Sequence, residues 1–174
     1  MEIAMAELGS KGPPNGFFLE DLEGRRFSSR SHTVKADEIK AFAAQFDPQP
    51  FHLSEEEAKG TLFGSLAASR WHTAAITMRL LVESGLPLRG GIIGTGGEVS
   101  WPRPTRPGDT LTVFSEIEEV TPSRSRPDRG MIRVRSETRN QDGETVQVLI
   151  AKLIVPKRQS ASAVPDVAVH PAQN

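Results

Sequence analysis

LAASRWHTAAITMRLLVESG, residues 66–85, is the longest stretch of the chain with one coherent helical period. Ala67, Trp71, Ala74, Ala75, Met78, Leu81 and Val82 recur at the three- and four-residue steps that line one side of an α-helix. Gly85 followed by Pro87 supplies the stop, since proline cannot continue a helix and glycine accepts the cap conformation. Alanine and other apolar side chains occupy most of the circumference, which predicts a helix enclosed by the rest of the molecule. A helix of that kind needs a surface curved around it.

The flanking sequence provides one. GIIGTGGEVSWP (91–102), DTLTVFSEIEEV (109–120), MIRVRSETR (131–139) and ETVQVLIAKLIVP (144–156) are rich in Val, Ile, Thr and aromatics, and read as four strands. Asp142-Gly143 marks a hairpin between the last two. Before the helix, RRFSSRSHTV (25–34) reads as a polar first strand. ADEIKAFAAQF (36–46) reads as a short helix with Ile39, Phe42, Ala43 and Phe46 on one face. SEEEAKG (54–60) reads as another, with Ser54 as N-cap. The expected class is α+β, a curved antiparallel β-sheet wrapped around one long central helix. One sheet edge stays open in that arrangement, and an identical chain is its natural cover. Residues 1–16 read as a flexible arm, 17–158 as one domain and 159–174 as a disordered tail.

Bulk properties narrow the function. The chain has 174 residues with 25% charged and a formal net charge of -1, a balance that points away from nucleic acid. It has no cysteine, which removes disulfides and thiolate metal sites and fits a cytoplasmic protein. MEIAMAELGSKGPP lacks the basic-then-apolar order of a secretion signal. No apolar run approaches the roughly 18 residues of a membrane span, so no membrane association is expected.

The chemistry concentrates in FDPQPFHLSEEEA, residues 46–58. Asp47 and His52 lie five positions apart, which on a helix puts them about 140° from each other. On a strand they would point to opposite faces. Pro48 and Pro50 argue against both elements, so the pair belongs to a stiff irregular corner. Gly64 and Ser65 then stand before the long helix, whose free amides carry partial positive charge at its start. A carboxylate, an imidazole and an amide nest suit a reaction in which charge develops on a carbonyl oxygen while a proton moves nearby.

Plainer readings compete. Asp before Pro commonly forms a turn, and a histidine is commonly a hydrogen-bonded structural residue. Asp47, His52 and His72 would imitate a metal triad, but their spacings match no metal motif. GIIGTGG fails the dinucleotide pattern, because Val99 stands where the third glycine belongs. Arg103, Arg106, Arg124, Arg126 and Arg129 read either as solvated loop charges or as contacts to coenzyme A phosphates.

FDPQPFHLSEEEA followed by FGSLAASRWHTAA resembles the MaoC-like hydratase (acyl dehydratase) family of hot-dog-fold proteins, relatives of R-specific enoyl-CoA hydratases. The resemblance spans roughly residues 20–157 and includes WPRPTRPGDTL (101–111) and RNQDGE (139–144). It implies that Asp47 and His52 hold and activate water and that the Gly64 amide binds the thioester oxygen. Phe51, Ser65, Trp71 and His72 would line the substrate. The implied substrate is an acyl-CoA or acyl-carrier-protein thioester. Water would add syn across a trans-2-enoyl thioester to give the (R)-3-hydroxyacyl product, with no cofactor and no metal, in a homodimer or dimer of dimers. Gln49 and Phe51 depart from the family's usual Asn and small aliphatic residue, and Arg70, Trp71 and His72 are bulky. These departures bear on substrate choice. A hot-dog thioesterase and a non-catalytic acyl-thioester binder are the other readings.

Overall fold

Residues 15–159 are described by the computed structural model, so the arm and tail expected at the termini lie outside them except for Asn15, Gly16 and Gln159. The elements in chain order begin with β1 (Arg26–Ser28), β2 (His32–Thr33), α1 (Ala36–Phe46), α2 (Pro50–Leu53) and α3 (Glu55–Lys59). They continue with α4 (Arg70–Leu80), β3 (Ile93–Ser100), β4 (Thr110–Pro122), β5 (Arg129–Arg139) and β6 (Thr145–Pro156). The strands form an antiparallel sheet in the order β1-β4-β5-β6-β3, with β2 also on β4. The β5–β6 hairpin turns at Gly143, whose φ of 76° a side chain would oppose.

Period-two alternation decides which face is buried. Leu111, Val113, Ser115 and Ile117 of β4 and Ile132, Val134, Ser136 and Thr138 of β5 all point inward. α4 lies on that face with Ile76 and Leu80, and Thr77 Oγ1 meets Thr138 Oγ1 at 2.7 Å. The buried hydroxyls thus satisfy one another across the helix–sheet contact, as burial demands. Helix and concave sheet together make the hot-dog fold.

Three local expectations are corrected. The polar segment 25–34 splits into two short strands. Pro50 does not exclude a helix, because it occupies the first helical position of α2, where its missing N–H costs nothing. The long helix begins at Arg70 and not at Leu66, and continues past Leu80 as a π-helical turn to Gly85. Ala67 and Ala68 are held outside it because their amides donate to Phe51 O (3.2 Å) and Thr105 O (2.9 Å). Ser69 then caps it by accepting the Trp71 amide at 3.2 Å.

The buried side of α4 also differs from expectation. His72, Thr73, Ile76, Thr77 and Leu80 face inward, whereas Trp71, Ala75, Met78 and Val82 form an exposed apolar stripe. β3, the last strand of the sheet, is exposed along nearly all its length.

Candidate active site

Asp47 is the C-cap of α1 and His52 the third residue of α2, so the proline-flanked corner carries the two side chains into one place. His52 is 3% exposed, and its Nδ1 lies 2.7 Å from the carbonyl oxygen of Ala67. A carbonyl can only accept, so Nδ1 carries a proton, and the neutral form of the ring would present a lone pair at Nε2. That Nε2 lies 3.4 Å from Asp47 Oδ2, too far for a good hydrogen bond. With the ring in its neutral form two acceptors converge, and a water donating both of its protons would satisfy them together.

The carboxylate is held from two sides. Ser69 Oγ donates to Oδ2 at 2.7 Å and Gln49 Nε2 donates to Oδ1 at 2.7 Å. Burial pushes the Asp47 carboxyl up, but the Ser69 and Gln49 hydrogen bonds and the nearby His52 outweigh it and hold the group below its ordinary value. Gln49, longer than the expected Asn, still reaches the carboxylate from its exposed position. Phe51 stands edge-on to the His52 ring at 4.6 Å, and Phe63 lies 4.9 Å from Phe51, so aromatic rings shield the imidazole.

Ser69, the serine of the Gly-x-x-x-x-Ser helix entry at 64–69, has a site role that the sequence does not assign. Its signal was local: a serine directly before an unbroken helical run is the preferred N-cap. Replacing Ser69 by Ala removes one of the hydrogen bonds that hold the Asp47 pKa down. If ionised Asp47 is the active form, activity is present above its pKa and lost as pH falls through it. The acid limb of the kcat/KM profile is then expected to move to higher pH in Ser69→Ala, while a purely structural role for Ser69 would lower stability without moving that limb.

Gly64 is corrected. It lies in a turn upstream of the helix with φ 67°, and its amide already donates to Thr61 O at 3.0 Å. The amide of Arg70, the first helical residue, has no hydrogen-bond partner among the described residues and stands at the helix end beside Ser69. Ser65 is claimed by Arg106, whose guanidinium donates to Ser65 Oγ at 2.8 Å and Ser65 O at 2.7 Å. The same guanidinium donates to Phe63 O at 2.7 Å and Leu66 O at 3.3 Å. Arg106 is thus neither a solvated charge nor free for phosphate: it clasps the segment that leads to Ala67.

Trp71 is 62% exposed and meets Trp101 edge to face at 5.5 Å. His72 turns the other way and stacks on Phe42 of α1 at 4.7 Å, with Nδ1 buried and unpartnered among the described residues. It is packed between two helices and does not line an open cavity. Burial pushes its pKa below the ordinary 6.5, more than Glu38 raises it. The unfolded ring therefore binds more protons below that value, and stability present above pH 6.5 is lost as pH falls through the folded pKa. His72→Gln is expected to flatten this decline in urea midpoints measured from pH 8 to 5.

Among the described residues, no group of three His, Cys, Asp or Glu side chains is arranged to hold a metal ion, and no helix is long and apolar enough to cross a membrane. A recess of about 60 Å³ is lined by Phe63, Ala68, Arg70, Thr73, Trp101 and Thr105 among others; it includes neither Asp47 nor His52 but flanks Ser69, the hydrogen-bond donor to Asp47. A larger cavity of about 540 Å³ lies at the β4–β5 hairpin around Met131 and Ile154, and includes neither Asp47 nor His52. Adjacency to Ser69 and Asp47, not size, makes the first the candidate site.

A family model described as a MaoC like domain matches residues 20–140. The protein YdeM of Bacillus subtilis, itself uncharacterised, is 34% identical over 119 residues, covering 68% of this chain and 83% of its own. A 3-hydroxybutyryl-CoA dehydratase of Methylorubrum extorquens is 31% identical over 111 residues, covering 63% of this chain and 69% of its own. The crystal structure of the MaoC-like dehydratase from Rhodospirillum rubrum matches with a TM-score of 0.82 at 62% identity, covering 83% of this chain and 100% of that one. With the model matched over well more than half of its residues, on the segment that carries Asp47, Ser69 and His52, this chain belongs to the MaoC-like family.

Proposed function

We propose that the chain adds water reversibly across the 2,3 double bond of a trans-2-enoyl thioester, giving an (R)-3-hydroxyacyl thioester. The observation that carries this reading is the convergence of two acceptors, Asp47 Oδ2 and His52 Nε2, at 3.4 Å. A water bound there donates to both, so its oxygen lone pairs point away, toward a substrate. As that oxygen bonds to C3, the π electrons shift to C2 and onto the thioester oxygen, and one member of the pair takes a water proton. A proton then passes from the pair to C2 on the same face, which closes the addition syn. The developing oxyanion needs a donor, and the unpartnered Arg70 amide at the positive end of α4 replaces Gly64 in that role.

Crotonyl-CoA tests the reading: loss of the conjugated enoyl absorbance signals hydration, whereas thiol release with no hydration would mean a thioesterase instead.

The working unit we propose is a homodimer. A recess of about 60 Å³ is far smaller than the roughly 300 Å³ or more of a typical small-molecule site, so one chain alone does not enclose an acyl thioester. The exposed stripe and the open β3 edge supply apolar surface and unpaired backbone for a second copy. Met78 and Val82 are 44% and 65% exposed, so Met78→Glu with Val82→Glu leaves the folded chain intact. The double variant is expected to run as a monomer by light scattering and to lose hydratase activity about 100-fold or more, the scale at which misplaced site groups act. A monomeric wild type would remove the proposal.

A further inference from the structure

Arg70 stands in an electrostatically unfavourable place. It is the first residue of α4, where the helix end is already positive, and no acidic residue occupies that first turn. The nearest carboxylate of the site, Asp47, is engaged by Ser69 and Gln49 and forms no ion pair with it. Among the described residues Arg70 has no acidic partner at all. Its guanidinium instead extends over the Trp101 ring, 5.9 Å from the centroid. An uncompensated cation added to a helix end favours an anion from elsewhere.

The recess beneath it is built to receive one. Trp101 is fixed as a wall because its Nε1–H donates to the buried Gln147 side chain at 2.8 Å. Thr73 and Thr105, each 2% exposed, line the floor, with Thr73 Oγ1 donating to Thr105 Oγ1 at 2.9 Å. Arg103 closes another side but is already paired with Glu144 at 3.1 Å, which leaves Arg70 as the open charge. A polar floor, a rigid aromatic wall and an unpaired guanidinium describe a subsite for a small planar oxyanion. Its place, one residue from Ser69 and so from the Asp47–His52 pair, is close to the reacting carbons.

Resting on the hydratase reading for its substrate, we infer that Arg70 binds an anionic group of the thioester. The class that fits this position is an enoyl thioester whose acyl part ends in a second carboxylate. The phosphates of the handle are the other source of the same chemistry, but a full pantetheine arm separates them from the thioester. Arg70 then selects dicarboxylic over simple acyl groups: its bidentate fork meets the distal carboxylate while the α4 amide meets the thioester oxygen.

Binding separates this inference from the hydratase reading, because saturated analogues cannot be hydrated. Trp71 and Trp101 are the two tryptophans of the chain and both sit at this end of α4, so intrinsic fluorescence reports occupancy. Glutaryl-CoA and butyryl-CoA are titrated into the full chain and into Arg70→Gln. Wild type is expected to prefer glutaryl-CoA by tenfold or more, and Arg70→Gln to bring that ratio close to one. If Arg70→Gln instead weakens both ligands equally and leaves butyryl-pantetheine unaffected, Arg70 still binds an anion and the handle phosphate is its source. No preference in wild type together with no weakening of any ligand in the variant, or a preference that survives it, overturns the inference. A wild type that binds glutaryl-CoA through Arg70 yet hydrates no enoyl-CoA would sink the hydratase reading and leave this one standing.

Discussion

Asp47→Asn and His52→Gln are each expected to lower kcat/KM on crotonyl-CoA by about 10³-fold, some 4 kcal/mol of transition-state stabilisation. Asparagine keeps an oxygen to accept from Ser69 but cannot take a proton from water. Glutamine can still donate toward the Ala67 carbonyl, which His52 meets at 2.7 Å, so the buried acceptor is not stranded. Both variants should therefore melt near wild type and still bind butyryl-CoA. The split between lost turnover and retained binding is what distinguishes chemistry from packing. A large drop in melting temperature with proportionate loss of binding would mean that the pair is structural. Removing both side chains together should cost little more than removing one, since the two act on a single water.

Arg106→Ala carries the second large effect, on stability first. The guanidinium serves three carbonyls and one hydroxyl between Phe63 and Leu66, and its own amide donates to Asp109 Oδ2 at 2.7 Å. Hydrogen bonds to a charged group contribute more than neutral ones, so losing the guanidinium's four, with the backbone amide bond kept, is expected to cost about 2–4 kcal/mol. For a chain of this size that is a fall of about 5–15 °C in melting temperature. Turnover should fall too, because the freed segment ends at the Ala67 carbonyl that orients His52. Arg106→Lys should recover little, since an ammonium cannot reproduce the fork. Unchanged stability with a raised KM for acyl-CoA alone would instead return Arg106 to the role of phosphate contact.

α1 shows how much local sequence can settle. Ala36–Phe46 forms as its period requires and stops at Asp47, because the residue before Pro48 is pushed out of the helical region. The strands of the second half likewise follow from alternating β-branched residues and from a Gly143 turn that needs positive φ. α4 shows the limit. Its period was legible, but Trp71, Met78 and Val82 face out while His72, Thr73 and Thr77 face in. Burial here is decided by buried hydroxyls facing the helix, Thr138 on the concave sheet for Thr77 and Thr105 in the β3–β4 loop for Thr73. Hydrophobic periodicity cannot register that kind of match, and it also ranks an apolar stripe as core even when nothing in the chain covers it.

The site divides along the same line. Residue types and proline spacing in FDPQPFH were enough to single out one acid and one imidazole on a stiff corner, since proline constrains the chain wherever it occurs. Which residues support them was a matter of through-space partners 15, 22 and 41 positions away in the chain: Ala67 for His52, Ser69 for Asp47, Arg106 for Ser65. The helix start lies at Arg70 rather than Leu66 for the same reason, because the Ala67 and Ala68 amides are claimed by Phe51 and Thr105. Local conformational preference is written in neighbouring residues. Hydrogen-bond satisfaction between distant ones exists only once the chain has folded.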